Sequence, residues 1–184
     1  MSSNKFDSDG EWPPYPVSSR EYAHALGILC VNYNHLESVF LDLIMHLSGA
    51  PTATIAFSFA RLSNDARIDL LKKIVTENRF DAEVKENLYH FSKGYKICAE
   101  NRNFLIHSKV IGWASCHGSI AVKRSKSGDK HIYGFELALV RRAADELRDW
   151  CRFGYLTHRY ILYLERASDE NWPGEAAIFD PQIL

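Results

Sequence analysis

The chain has 184 residues, which suits one domain with a sizeable core and tails. Hydrophobic residues make up 46% and charged residues 24%, and the formal net charge of −1 gives no overall attraction to nucleic acid or membrane. No apolar run approaches the roughly 20 residues that a membrane-spanning helix needs, and the amino terminus carries no apolar secretory segment. We therefore expect a cytoplasmic globular protein whose basic contact surfaces are local.

Apolar residues recur at helical spacing along most of the chain. Residues 1–17 lack this spacing and are rich in proline, so they predict an extended lead-in, and residues 168–184 predict an irregular tail. Ser18 with Glu21 forms a capping box for the first long helix, and Asp81 is the expected N-cap of the second. The first four predicted helices cover residues 18–48, 52–60, 63–78 and 81–107.

The spacing then changes to that of short strands. Extended runs rich in β-branched and apolar residues alternate with turn-forming residues, and helical spacing returns from Val140 to Ile161. The predicted strands cover residues 110–115, 119–124 and 131–137. The expected fold is mainly α: a bundle of four or five helices with a small antiparallel β-hairpin or meander (about 110–137) inserted before the last long helix, in a single domain over residues 18–167.

The cysteines do not predict a metal site. They are widely dispersed and form no cluster with histidine, so free thiols in a reducing compartment are expected. We expect no metal and no cofactor. The cysteines are Cys30, Cys98, Cys116 and Cys151.

One arginine lies where an apolar residue is expected. Arg102 falls on the packing stripe of the second long helix, although a guanidinium keeps its charge and is rarely buried without partners. This position is typical of a polar site on a packed helix. Five residues later, His107 supplies a side chain that exchanges protons near neutral pH. The stripe consists of Val84, Leu88, Phe91, Tyr95, Cys98, Arg102 and Leu105.

These two side chains suit the cleavage of a phosphodiester next to a 2′-hydroxyl. A histidine moves the protons, while a guanidinium binds the phosphate and offsets the charge at phosphorus, and no metal is required. The two residues leave an ideal helix about 140° apart. Either the helix ends or distorts near His107, or a second copy of the chain completes the site. Asn103 shares a face with His107 and is expected to orient the imidazole or contact the phosphate.

A glutamate on the first helix is the expected partner of the arginine. Glu37 borders the packing stripe of that helix, and a carboxylate in such a place needs a cation. We expect Arg102 to be that cation. The alternative is a purely structural ion pair that ties two long helices together, because structural networks also place charges on packing faces.

The motif around the arginine resembles a known family. The run Arg102-Asn103-Phe104-Leu105-Ile106-His107 is similar to the Rx4-6H motif of the HEPN superfamily, in the form with a polar residue after the arginine. The resemblance extends in architecture over roughly residues 20–166. It implies a metal-independent endoribonuclease that acts as a homodimer, serves as a toxin, antiviral-defence effector or RNA-processing enzyme, and has an antitoxin or regulatory protein as a further partner. It also implies catalytic roles for Arg102, His107 and Asn103, and a weaker one for Glu37.

Basic residues gather around the predicted hairpin directly after the motif. They are expected to guide an RNA backbone toward His107, and the alternative is an ordinary solvated hairpin tip. The competing interpretation of the whole chain is a non-catalytic HEPN-like module that binds nucleotides or another protein. The candidate RNA-binding residues are Lys109, Lys123, Arg124, Lys126 and Lys130.

Overall fold

The computed structural model describes residues 20–114, 118–124 and 130–166. Within these ranges the chain is a mainly α bundle with a small β insert, which confirms the predicted fold class. The helices are α1 (Arg20–Ser48), α2 (Thr52–Phe59), α3 (Asn64–Glu77), α4 (Ala82–His107) and α5 (Leu137–Arg166). The strands between α4 and α5 are β1 (Lys109–Ala114), β2 (Gly118–Arg124) and β3 (Lys130–Glu136). The predicted lead-in, the predicted first-helix cap Ser18 and the predicted tail lie outside the described residues.

Local hydrogen bonds define the ends of several helices. The Ser63 hydroxyl accepts a hydrogen bond from the Ala66 backbone N–H at 3.3 Å, and Asp81 Oδ1 accepts one from Val84 at 2.7 Å. Each cap satisfies an N–H group that has no partner within its helix. Gly49 follows α1 with a φ of 60°, a conformation that glycine adopts without steric cost.

Helix α1 packs along α5 and also contacts α2, α3 and α4. The ring of Phe40 stacks on that of Tyr95 with centroids 4.3 Å apart, and Phe40 also contacts Phe91 at 5.7 Å. Tyr33 precedes Phe40 in α1 but contacts residues that lie later in α4, namely Tyr95 and Arg102. Helices α1 and α4 are therefore antiparallel. No helix in the described ranges is long and apolar enough to cross a membrane. The buried stripe of α1 includes Tyr22, Leu29, Tyr33, Leu36, Phe40, Leu43 and Leu47.

Helices α4 and α5 approach each other closely where glycines remove a side chain. A Cβ atom on Gly94 would lie 2.4 Å from the ring of Trp150, and one on Gly154 would lie 2.4 Å from the ring of Phe91. The ring of Trp150 on α5 therefore packs directly on the backbone of α4, and the ring of Phe91 on α4 packs directly on the backbone of α5. The order of these contacts along the chain shows that α4 and α5 are also antiparallel.

The sheet is an antiparallel meander in the order β1-β2-β3. Its register shifts between Val110 and Gly112, where a bulge interrupts the β1–β2 ladder. On β3, the ring of Tyr133 meets that of Phe104 edge-on, with centroids 4.7 Å apart. This contact holds the meander against the last turns of α4.

Candidate active site

Arg102 lies near the end of α4 and is half-buried against α1. Its guanidinium carbon is 5.1 Å from the centroid of the Tyr33 ring, and its Nη1 donates a hydrogen bond to Asn103 Oδ1 at 2.9 Å. The Nε is buried and has no hydrogen-bond partner within the described part of the chain. Among residues 20–114, 118–124 and 130–166, no carboxylate forms an ion pair with this arginine.

His107 is the last residue of α4, and it is exposed to solvent. Because α4 is helical up to this residue, the offset of about 140° from Arg102 persists, and the two side chains leave the helix in different directions. Asn103 lies one turn before His107 and is half-buried. Its amide oxygen accepts from Arg102, so the structure brings Asn103 to the guanidinium.

Glu37 pairs with Arg67 on α3, which corrects the expected pair between Glu37 and Arg102. Arg67 Nη1 donates to Glu37 Oε1 in a short ion pair. Apolar spacing identifies which face of α1 carries Glu37, but the partner depends on which helix packs against that face. The first turns of α3 do so, since α3 contacts both α1 and α4.

The ion pair belongs to a larger group of side chains that we call the polar cluster. Its members are Tyr33, Glu37, Asn64, Arg67 and Tyr95, from α1, α3 and α4. Arg67 Nη1 also donates to the Tyr95 hydroxyl at 3.0 Å and to Asn64 Oδ1 at 3.3 Å, while its Nε donates to the carbonyl of Phe59 at 3.1 Å. Arg67 is only 9% exposed, and a cation so buried is stable only with partners of this kind.

Burial and hydrogen bonding set the charges within the polar cluster. Burial raises the pKa of the Tyr33 and Tyr95 hydroxyls, so both keep their protons and donate to Asn64 Oδ1, at 3.3 Å and 3.1 Å. Burial disfavours the charge on Arg67, but hydrogen bonds to Tyr95 and Glu37 outweigh it and raise the guanidinium pKa. Arg67 therefore stays charged and neutralises Glu37, which leaves the charge of Arg102 uncompensated by the cluster.

Sequence reasoning missed Arg67, although the chain contains a signal for it. Arg67 precedes Leu71 by four residues and Ile74 by seven, and both are buried on the inner face of α3. This is the same spacing that singles out Arg102 on α4. A second inward arginine was therefore detectable from the pattern.

The backbone register brings most of the candidate RNA-binding residues to one end of the sheet. Lys109 is the Cα partner of Val122, and the adjacent pairs are Lys123 with His131 and Arg124 with Lys130. The start of β1, the end of β2 and the start of β3 therefore lie side by side. This end begins two residues after His107. Lys126 lies outside the described residues.

No protein-family model, curated protein or solved structure matches this chain. Within the part of the chain that the structure describes, no group of three or more His, Cys, Asp or Glu side chains is arranged to hold a metal ion.

Proposed function

We propose that this protein is a metal-independent endoribonuclease of the HEPN type, with Arg102 and His107 acting on the scissile phosphate. The observation that carries the proposal is the environment of Arg102. Its half-buried guanidinium faces an aromatic ring and an amide, with no carboxylate partner among the described residues. A cation held in this way keeps its charge available for a phosphate.

The proposed reaction is an attack of the ribose 2′-oxygen on the adjacent phosphorus. The bond from phosphorus to the 5′-oxygen breaks, and the products are a 2′,3′-cyclic phosphate and a 5′-hydroxyl. His107 mediates the net transfer of the proton from the 2′-hydroxyl to the leaving 5′-oxygen. Arg102 offsets the negative charge that develops on the phosphoryl oxygens, and Asn103 orients its guanidinium. Glu37 is assigned to the polar cluster and not to the reacting atoms.

A homodimer is proposed to complete the active site. Within one chain, α4 directs Arg102 toward α1 and leaves His107 exposed, so a second copy is needed to bring both groups to one phosphate. The test mixes inactive Arg102→Ala and His107→Ala protomers. Recovery of cleavage in the mixture, with a dimeric mass by light scattering, supports a shared site. A fully active monomer would contradict it.

The basic end of the meander is proposed to bind the RNA backbone. Lys109, Lys123, Arg124 and Lys130 converge by register next to the end of α4, and phosphate contacts of this kind supply most sequence-independent affinity. Lys126 is assigned to the same surface from its place in the sequence. This arrangement leads a bound strand toward His107.

The decisive experiment incubates purified protein with RNA in excess EDTA and identifies the product ends. We expect 2′,3′-cyclic phosphate ends from the wild type and none from His107→Ala or Arg102→Ala, with circular dichroism spectra unchanged. The matched controls are His35→Ala on α1 and Arg141→Ala on α5, because both residues are exposed and lie outside the proposed site. Undiminished cleavage by His107→Ala would overturn the assignment. RNA binding without cleavage by the wild type would favour the non-catalytic module.

The proposed cellular role is that of a toxin, antiviral-defence effector or RNA-processing enzyme in the cytoplasm. An antitoxin or regulatory protein is the expected additional partner. Induced expression tests the toxin role, since the wild type should arrest growth while His107→Ala should not. Equal growth of both strains, with equal protein levels, would contradict that role.

A further inference from the structure

We infer that Tyr33 is a positioning residue for Arg102 and that the other members of the polar cluster fix Tyr33 in place. The catalytic consequence of this inference rests on the proposed function. Tyr33 links the two arginines: its ring faces Arg102, and its hydroxyl joins the polar cluster around Arg67.

The contact between Tyr33 and Arg102 has the geometry of a cation–π interaction. The guanidinium carbon lies over the ring, 5.1 Å from its centroid, within the range where the ring quadrupole attracts a cation. Tyr33 is only 4% exposed, so little water competes for that face of the guanidinium. The buried Nε of Arg102 gains no hydrogen bond within the described residues. The ring and the Asn103 amide therefore determine the direction of the guanidinium.

The other members of the polar cluster restrict the movement of the Tyr33 ring. The Tyr33 hydroxyl donates to Asn64 Oδ1 at 3.3 Å and lies 3.5 Å from the hydroxyl of Tyr95. Asn64 and Tyr95 are themselves bonded to Arg67, which Glu37 neutralises. The ring that supports Arg102 is thus anchored at its far end.

This arrangement gives Glu37 an indirect role. The negative charge of its carboxylate neutralises the positive charge of Arg67, so the polar cluster carries no net charge and does not neutralise Arg102. Had Glu37 bound Arg102, the guanidinium charge would have been neutralised by a protein carboxylate. Pairing Glu37 with Arg67 leaves Arg102 oriented and charged, which is the state that a phosphate requires.

The experiment compares Tyr33→Leu with Tyr33→Phe, which keeps the ring and loses only the hydroxyl. The first readout is the NMR resonance of the Arg102 Nε–Hε group, assigned by its loss in Arg102→Lys. We expect Tyr33→Leu to remove the ring-current shift of this resonance and Tyr33→Phe to retain it. Phe91→Leu is the matched control, since it also removes a buried aromatic ring but one that contacts Phe40 and Phe153. Tyr33→Met replaces Tyr33→Leu if the latter does not fold.

The second readout is kcat/KM for RNA cleavage by the same variants. Tyr33→Leu should lower it about tenfold and Tyr33→Phe less than about threefold. In an Arg102→Lys background, Tyr33→Leu should add less than about a twofold loss, because a residue that acts through Arg102 has nothing left to position. An additive loss in that background would overturn the positioning role.

The two readouts separate the inference from the proposed function. The NMR comparison requires no RNA, so it holds even if the wild type cleaves none. An unchanged Arg102 resonance in Tyr33→Leu would overturn the inference whatever the activity. A changed resonance in a protein without ribonuclease activity would uphold the contact and reject the endoribonuclease.

Discussion

Arg67 and Glu37 form the ion pair that ties the first turns of α3 to α1. The same guanidinium binds the carbonyl of Phe59, so it also fixes the connection between α2 and α3. The side chain of Glu37 is 31% exposed, whereas the side chain of Arg67 is 11% exposed. The buried arginine is therefore the member whose loss disturbs the structure most.

Replacing Arg67 by methionine should destabilise the protein by about 2–4 kcal/mol. The change keeps much of the apolar stem but leaves Glu37, the Tyr95 hydroxyl and the Phe59 carbonyl without their donor. Urea denaturation measures the loss. Arg61→Met is the control, since Arg61 is exposed, donates to the Phe57 carbonyl one turn away and lies over the Phe57 ring, and it should cost less than about 1 kcal/mol. Equal losses would show that the ion pair contributes little.

Adding a methyl group at Gly94 should destabilise the protein by about 2 kcal/mol or more. The new Cβ would lie 2.4 Å from the buried indole of Trp150, which has little room to move. Gly27→Ala is the matched change in α1, where nothing lies within 4 Å of the new atom. That variant should be neutral or more stable by up to about 1 kcal/mol, because alanine favours helix. Thermal unfolding of both proteins distinguishes these outcomes, and a stable Gly94→Ala would contradict the close approach of α4 and α5.

The stability of the fold should decrease at alkaline pH. Burial raises the pKa of the Cys151 thiol from 9.0 to about 11, and burial also raises the pKa of the Cys98 thiol. As the pH rises from about 9 to about 11, the unfolded chain loses the Cys151 thiol proton that the folded chain retains, so unfolding becomes more favourable. The stabilising contribution of the Cys151 thiol is complete below about pH 9 and is lost above about pH 11.

Cys151→Ala isolates this effect. Between about pH 8 and about pH 11, the wild type should lose about 1–2 kcal/mol more stability than the variant. Urea midpoints at both pH values give the comparison. Parallel losses in the two proteins would assign the alkaline decrease to other groups, such as Tyr33 and Tyr95, whose pKa values burial also raises.

Charge reversal at the basic end of the meander should weaken RNA binding. Lys123→Glu with Arg124→Glu should reduce affinity for a 2′-O-methyl RNA, which cannot be cleaved, by about tenfold or more at moderate salt. The salt dependence of log K should also become shallower by about 0.7 for each phosphate that the variant no longer neutralises. Fluorescence anisotropy measures both quantities. Lys72→Glu with Lys73→Glu on α3 gives the same charge change at exposed positions away from the sheet, and an equal effect there would indicate non-specific attraction.

Local signals in the sequence were sufficient to predict the bounds of α4 and of the three strands. The predicted helix over 81–107 agrees with α4 to within one residue, because Asp81 supplies its N-cap and the apolar stripe continues to Leu105. The strands were also predicted to within one residue, from β-branched runs between turn-forming residues. These patterns involve residues only a few positions apart in sequence, so they can be recognised without knowing the tertiary structure.

The partner of Glu37 was not predictable in the same way. The spacing of apolar residues showed that Glu37 and Arg102 both border packing faces. It does not show which helix packs against Glu37 and supplies its cationic partner. That depends on the short turn after Phe59, which brings Asn64 and Arg67 against Tyr95. Tertiary placement of α3, and not the pattern on α1 or α4, decided the pairing.

The meander connects two antiparallel helices that already pack on each other through Trp150 and Phe91. It is, in effect, an enlarged loop between α4 and α5, and the cost of closing a loop grows only slowly with its length. Its length can therefore change at little cost while the helical bundle keeps its own contacts, provided that Tyr133 still packs on Phe104. Under the proposed function, RNA preference and the chemistry at Arg102 would belong to separable parts of this chain, so exchanging the meander would change the RNA that is bound while the surroundings of Arg102 are kept.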